Sequence, residues 1–421
     1  MTNAASDPPS RLSRRLGTFD AVMIGLGSMI GAGVFGAIGP AAAAAGGGLL
    51  VGLAVAAVVA YLNASSSAQL AAIYPRSGGA YVYGHERLGH LWGFFAGWGF
   101  VIGKIASCAA MALTFGAYAS PDLARPLAVG AVVWLTAVNL KGIRATAGLA
   151  RVIVALVLGS LASVVVASST AKLSWERIGP LGEGGLPGVL QASGILFFAF
   201  AGYARIATLG EEVREPARTI PRAIMCALAI TLAVYVTVAT TALMAVGPAV
   251  LADSSAPLAA AVRAGTMSWA VPVTRVGASI ASLGVLLSLL AGVSRTTFAM
   301  AEEGDLPRWL AGVHAGSHAP HRAQILISGI VVMVAMLVDL RGAIGFSSFA
   351  VLLYYGITNA SAWTLRSDER RSPRSFALLG MVGCMALAFS LPIISIITGF
   401  GALLAGLTLW AVRQRMRPDE S

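Results

Sequence analysis

Four glycines in the run Gly25-Leu26-Gly27-Ser28-Met29-Ile30-Gly31-Ala32-Gly33 offer chemistry that no side chain there supplies. Each costs about 1 kcal/mol against alanine in a helix interior. A run this rich in glycine therefore breaks a helix and bares its backbone. A helix start leaves N–H groups free and partly positive; a helix end leaves carbonyls free and partly negative. The first can hold a carboxylate and the second an ammonium. The run sits in a hydrophobic segment from about Phe19 to Ala45, long enough to cross a bilayer. Irregular backbone is tolerated at that depth only when buried in protein or lining a polar cavity.

A second segment has the same character. Gly194-Ile195-Leu196-Phe197-Phe198-Ala199-Phe200-Ala201-Gly202-Tyr203-Ala204-Arg205 carries Gly202 near its middle and a charge just beyond. A third feature is Lys104, which lies about thirteen residues from either end of its apolar segment. At 1.5 Å per residue that is roughly 20 Å, farther than a lysine stem can snorkel. An ionisable group at that depth points to function.

These groups need a membrane scaffold, and the composition supplies one. The 421 residues are 57% hydrophobic and 11% charged, against about 25% charged in soluble domains. Apolar runs mark twelve spans, at roughly 19–44, 47–72, 90–117, 124–140, 147–168, 188–210, 222–246, 268–299, 323–339, 343–365, 375–391 and 394–412. With the N-terminus inside, 21 Lys and Arg residues fall on inner segments and 6 on outer ones. That bias fits twelve spans with both termini cytoplasmic. The first eighteen residues are polar and lack the apolar core of a cleavable signal. The net charge of +11 is spread over many short loops, so nucleic acid is not an expected partner. Cys108, Cys226 and Cys384 lie far apart in apolar segments, which gives no disulfide framework and no thiolate metal site.

The first span enters from inside and the sixth from outside. Interrupted helices five spans apart and of opposite direction are what an inverted five-helix repeat requires. Paired breaks at mid-membrane suit the zwitterionic head of an amino acid. The alternative use of the glycines is close helix packing.

The same residues resemble the amino acid–polyamine–organocation (APC) superfamily of permeases. The resemblance rests on Gly27 to Phe35, on Tyr74-Pro75-Arg76-Ser77-Gly78-Gly79-Ala80-Tyr81, and on Asn139-Leu140-Lys141-Gly142. It extends through Phe198 to Tyr203, Glu211 to Arg222, Ser294-Arg295, Ala299-Met300-Ala301 and Leu306-Pro307. It implies an all-α polytopic membrane protein with twelve transmembrane helices. Helices 1 and 6 would be broken within a LeuT-like five-plus-five inverted repeat, followed by two extra helices. Residues 1–18 would be a cytoplasmic tail, 19–168 the first repeat, 188–366 the second, 375–412 the added pair and 413–421 the last tail. The substrate carboxylate would lie on amides near Gly31, Ala32 and Gly33, beside Ile30. The amine would lie on carbonyls near Met29, Phe198 and Ala201, with Gly202 at the break and Phe198 as an aromatic wall.

Two positions depart from the family pattern. The acid common just after the helix-six glycine is Ala204 here, and the lysine common in helix five is Ser160. Lys104 is therefore expected to replace that lysine as a fixed or titrating cation. Ser160 and Tyr203 join Lys104 and Arg205 as candidates for coupling or gating. Arg205 either touches substrate or pairs with Asp20, Glu86 or Glu211.

All 18 acidic residues fall in loops or near span ends, so no carboxylate is expected beside either break. A cationic side chain would lack a partner there. Neutral substrates are expected, acidic ones are allowed, and lysine, arginine and polyamines are disfavoured. His314, His318 and His321 share a helical spacing but lack an acidic or thiol partner, so no metal site is expected. No nucleophile–base pattern or nucleotide motif is present, so neither an enzyme nor an ATP-driven pump is expected, and no cofactor. The expected function is proton-coupled amino-acid transport across the cytoplasmic membrane, by a monomer or weak homo-oligomer. An exchanger of the same fold and a non-transporting membrane sensor are the alternatives.

Overall fold

A computed structural model describes residues 16–75, 78–141, 147–210, 212–313 and 320–416. Its regular elements are helices: α1 (Thr18–Met29), α2 (Ala32–Ala45), α3 (Leu49–Ile73), α4 (Ala80–Leu88), α5 (His90–Ala119), α6 (Ala124–Leu140), α7 (Ala147–Ser169), α8 (Gly185–Phe200), α9 (Ala204–Ala207), α10 (Pro216–Asp253), α11 (Pro257–Arg263), α12 (Ala270–Glu302), α13 (His321–Leu337), α14 (Leu340–Trp363), α15 (Arg374–Ser390) and α16 (Ile393–Met416). Each of the twelve expected apolar runs coincides with one helix or a broken pair of them.

Among the described residues, nine helices are long and apolar enough to cross a membrane, which makes the chain a multi-pass membrane protein. Three features separate nine from the expected twelve. The break after Met29 leaves α1 only 12 residues. Its second half runs on into α3 through a short 3₁₀ turn at Gly46–Gly48, and Gly33–Ile73 counts as one stretch. The helices α13 and α15 have 17 residues each.

Small residues set the packing. The longest interfaces join α5 to α14 and α12. A Cβ on Gly103 would lie 2.9 Å from that of Ala350, so α5 and α14 approach through glycine. Elsewhere α8 lies against α2 and α3, and α10 spans α1, α2 and α3. The loop end of the bundle is tied by a short parallel bridge between Leu16 and Val213. At the opposite end Tyr118, Phe35 and Leu258 are fully buried. The Tyr118 hydroxyl donates to the Phe35 carbonyl at 3.1 Å and accepts from the Leu258 amide at 3.3 Å.

Candidate functional site

Only Ile30 and Gly31 separate α1 from α2. Gly31 takes φ −65° and ψ −136°, which turns the chain out of α1 and restarts it as α2. The second break is a 3₁₀ turn over Ala201–Tyr203, between α8 and the four-residue α9. The two breaks touch backbone to backbone. A Cβ on Gly202 would overlap the Ser28 carbonyl and lie 2.8 Å from the Met29 amide nitrogen. A Cβ on Gly33 would lie 2.7 Å from the Ala199 Cα. One glycine on each broken pair therefore faces the other pair. Orphan amides at the start of α2 and orphan carbonyls at the ends of α1 and α8 are gathered in one place.

The breaks line a cavity of about 520 Å³, within the range of small-molecule sites. Met29, Gly33, Phe198, Ala201, Gly202, Lys104 and Arg205 all line it. Ile30, Gly31, Tyr203 and Ser160 are not among the lining residues. Ile30 and Tyr203 are buried in the packing. Ser160 is turned to α12, where its hydroxyl reaches the Val273 carbonyl at 3.4 Å. Sequence position alone could not show which side of its helix Ser160 presents.

Met111, Val285 and Leu289 add apolar wall, and Ser107 and Ser288 add hydroxyls. The Lys104 amine stands 6.0 Å from the Phe100 ring centroid. At the loop end Glu212, Glu303, Arg295 and Gly78 also line the cavity. The expectation of no acid beside the breaks thus needs an amendment: two glutamates share the cavity, on its loop-end side.

Of the expected gate pairs, the one between Asp20 and Arg205 is not formed. Asp20 is held by Arg151, and Arg205 donates to the Thr208 hydroxyl at 3.0 Å. Glu86 is not among the lining residues; Glu211 lies outside the described residues, as do His314 and His318. Ser28, Ser107 and Ser282 each bond a carbonyl one turn back in their own helix.

Two groups unmarked by the glycine pattern hold the breaks. Tyr235 on α10 donates to the Met29 carbonyl and lies 3.1 Å from the Ala199 carbonyl. Tyr355 on α14 donates to the Ala201 carbonyl at 3.1 Å and stacks on Tyr203. The signal for both was a phenol inside an apolar span, which needs a partner for its hydroxyl.

A cluster at the loop end supports the cavity mouth. Tyr81, a lining residue, donates to Asp305 at 2.8 Å. His90 and His85 stand 3.0 and 3.7 Å from the same carboxylate. The Trp410 indole, which can only donate, points at His90 Nδ1 at 3.2 Å. That tautomer leaves the Nε2 proton facing Asp305, so the His90 ring acts as a donor rather than a metal ligand. Arg413 adds a bond to the Leu306 carbonyl at 2.8 Å, which ties α16 to the same corner. Burial pushes the Asp305 carboxyl up, but hydrogen bonds from His85 and Tyr81 and the nearby His90 outweigh it. The net shift is below the usual carboxylate range.

A depressed carboxylate stabilises the fold above its unfolded pKa and loses that stabilisation as pH falls through the folded value. Asp305→Asn should therefore lower stability at pH 7 by about 1–3 kcal/mol. The gap from wild type should close in strong acid, below about pH 4. Melting curves of both proteins across pH check this; a gap independent of pH contradicts it.

The described residues thus form a helical, multi-pass membrane architecture around a cavity walled by two broken helices. Comparison with known proteins carries this further. Residues 16–411 match the model of the amino acid permease family, and the chain belongs to that family. An uncharacterised transporter of Mycobacterium tuberculosis is 58% identical over 411 residues, which cover 97% of this chain and 93% of the relative. The branched-chain amino acid permease BcaP of Bacillus subtilis is 26% identical, covering 98% of this chain and 95% of the relative. Cationic amino acid transporter 4 of Homo sapiens is 29% identical over 86% of this chain and 61% of its own length. The family and these relatives support amino-acid transport as the function.

Proposed function

We propose that this protein is a secondary transporter of neutral aliphatic amino acids, working by alternating access and coupled to protons. The observation that carries the reading is the contact of the two helix breaks on the wall of the cavity. Amides at the start of α2 would receive the carboxylate, and the Met29 and Ala201 carbonyls the ammonium. Each carbonyl has two lone pairs, so the tyrosine bonds leave one for substrate. The side chain would lie against Met29, Met111, Val285, Leu289 and Phe198. Lys104 and Arg205 on the cavity wall disfavour a cationic side chain at the breaks, Glu212 and Glu303 lying toward the loop end.

In this reading α1 with α2, α3, α5, α6, α7, α8 with α9, α10, α12, α13, α14, α15 and α16 make twelve spans. Residues 19–168 and 188–366 are the inverted repeats, and 375–412 add two helices. Both termini are cytoplasmic, so the loop end faces the cytoplasm and the cavity is open inward. The Phe35, Tyr118 and Leu258 cluster closes the outer side. Lys104 makes no hydrogen bond or ion pair among the described residues, and its ammonium serves as the coupling cation. Exchange of one amino acid for another is the second mode that the same site permits.

A thermal-shift screen of the purified protein tests the substrate class. Leucine, isoleucine or valine at a hundred times Kd should stabilise by about 2.7 kcal/mol. Lysine and putrescine should leave the melting temperature unchanged. Preferential stabilisation by lysine or putrescine would overturn the assignment.

A further inference from the structure

The carbonyl ends of both broken helices meet at one side chain. Met29 is the last residue of α1, and Ala199 is the last but one of α8. Carbonyls in the final turn of a helix have no partner within it and carry the negative end of its dipole. Two such ends pointing at one spot repel unless a positive group stands between them. The group there is the Tyr235 hydroxyl, bonded to Met29 and 3.1 Å from Ala199. A Cβ on Gly33 would lie 3.3 Å from the same oxygen, so the start of α2 closes around it as well. Tyr235 is 2% exposed and its ring lies against Phe200, 5.2 Å between centroids. One turn earlier on α10, the Thr231 hydroxyl faces the Met29 sulfur at 3.9 Å. Tyr235 is not among the cavity-lining residues, so it acts from behind the breaks.

A phenol has one proton and cannot donate fully to two carbonyls at once. We infer that Tyr235 is a positioning residue whose single shared proton pins the carbonyl ends of the two broken helices. The pin sets the Met29 carbonyl at the place where a substrate ammonium meets it. An ammonium arriving at Met29 supplies a second positive group, and the phenol proton then moves toward Ala199. The pin stands on the fold alone; its effect on substrate rests on the amino-acid reading above.

Tyr235→Phe removes the proton and keeps the ring. Amide hydrogen exchange of the substrate-free variant in lipid nanodiscs should rise about tenfold in both segments, 24–34 and 198–208. The α15 helix should be unchanged. Wild-type exchange in either segment overturns the pin. Phe200→Leu removes the ring contact and keeps the hydroxyl; it should not loosen both segments, and equal loosening there also overturns the pin. In binding assays the preference for leucine over 4-methylpentanoate, which lacks the amine, should fall about tenfold in Tyr235→Phe. A general packing defect would weaken both ligands alike, and an unchanged ratio contradicts the positioning role. Should the Phe variant not accumulate, 3-fluorotyrosine at position 235 gives a ¹⁹F signal in an otherwise native protein. Leucine should shift that signal and 4-methylpentanoate should not; equal responses overturn the inference. If wild type binds no amino acid, the transport reading fails while the exchange arm still decides the pin.

Discussion

Gly202→Ala should reduce uptake by about a hundredfold, with the chain still inserted and folded. The added methyl would overlap the Ser28 carbonyl and sit 2.8 Å from the Met29 nitrogen. Both obstacles are backbone, so neither can rotate away as a side chain could. Overpacking of this kind costs about 1–3 kcal/mol, which separates the breaks and displaces the amides and carbonyls proposed to meet substrate. Gly33→Ala meets the Ala199 Cα at 2.7 Å and should behave in the same way. The control is Gly130→Ala on α6, where nothing lies within 4 Å of the added methyl. It should keep wild-type uptake and gain about 1 kcal/mol from helix propensity. Uptake and melting temperature of the three variants check the claim. Wild-type transport by Gly202→Ala would show that the contact between the breaks is irrelevant to the site.

Lys104→Met should lose proton-driven accumulation by at least about tenfold. A cation at mid-bilayer costs about 2.5–3.5 kcal/mol to insert, and here it faces a cavity rather than an acid. Lys104 is 7% exposed, and its nearest ring partner is Phe100, 6.0 Å from the ring centroid. Methionine preserves the stem and removes the charge, so the packing along α5 survives. Substrate binding should persist while the pH dependence of uptake flattens. Uptake in vesicles across a pH series measures this. Wild-type rate together with wild-type pH dependence would contradict the coupling role.

The two helix interruptions, which follow from backbone chemistry, were legible in the sequence. The glycine run at Gly25 to Gly33 and the lone Gly202 both mark places where a helix cannot continue, and the chain breaks at Ile30–Gly31 and at Ala201–Tyr203. Lys104 announced itself because charge is rare inside an apolar run. What was hidden depends on which way a side chain turns. Ser160 packs on α12, a direction that its place in the sequence does not show. Glu212 and Glu303 look like ordinary loop acids, yet they share the cavity with Lys104. Asp20 looked available to Arg205, yet Arg151 holds it. Tyr235 sits on α10, about two hundred residues from Met29 in sequence, and no local spacing connects them.

The most direct measurement is uptake of radiolabelled leucine by the purified protein in liposomes under an inward proton gradient. Saturable accumulation is expected. Unlabelled neutral aliphatic amino acids should compete it away, lysine and putrescine should not, and Gly202→Ala should reduce it about a hundredfold. No saturable uptake of any amino acid, with or without the gradient, would contradict the account.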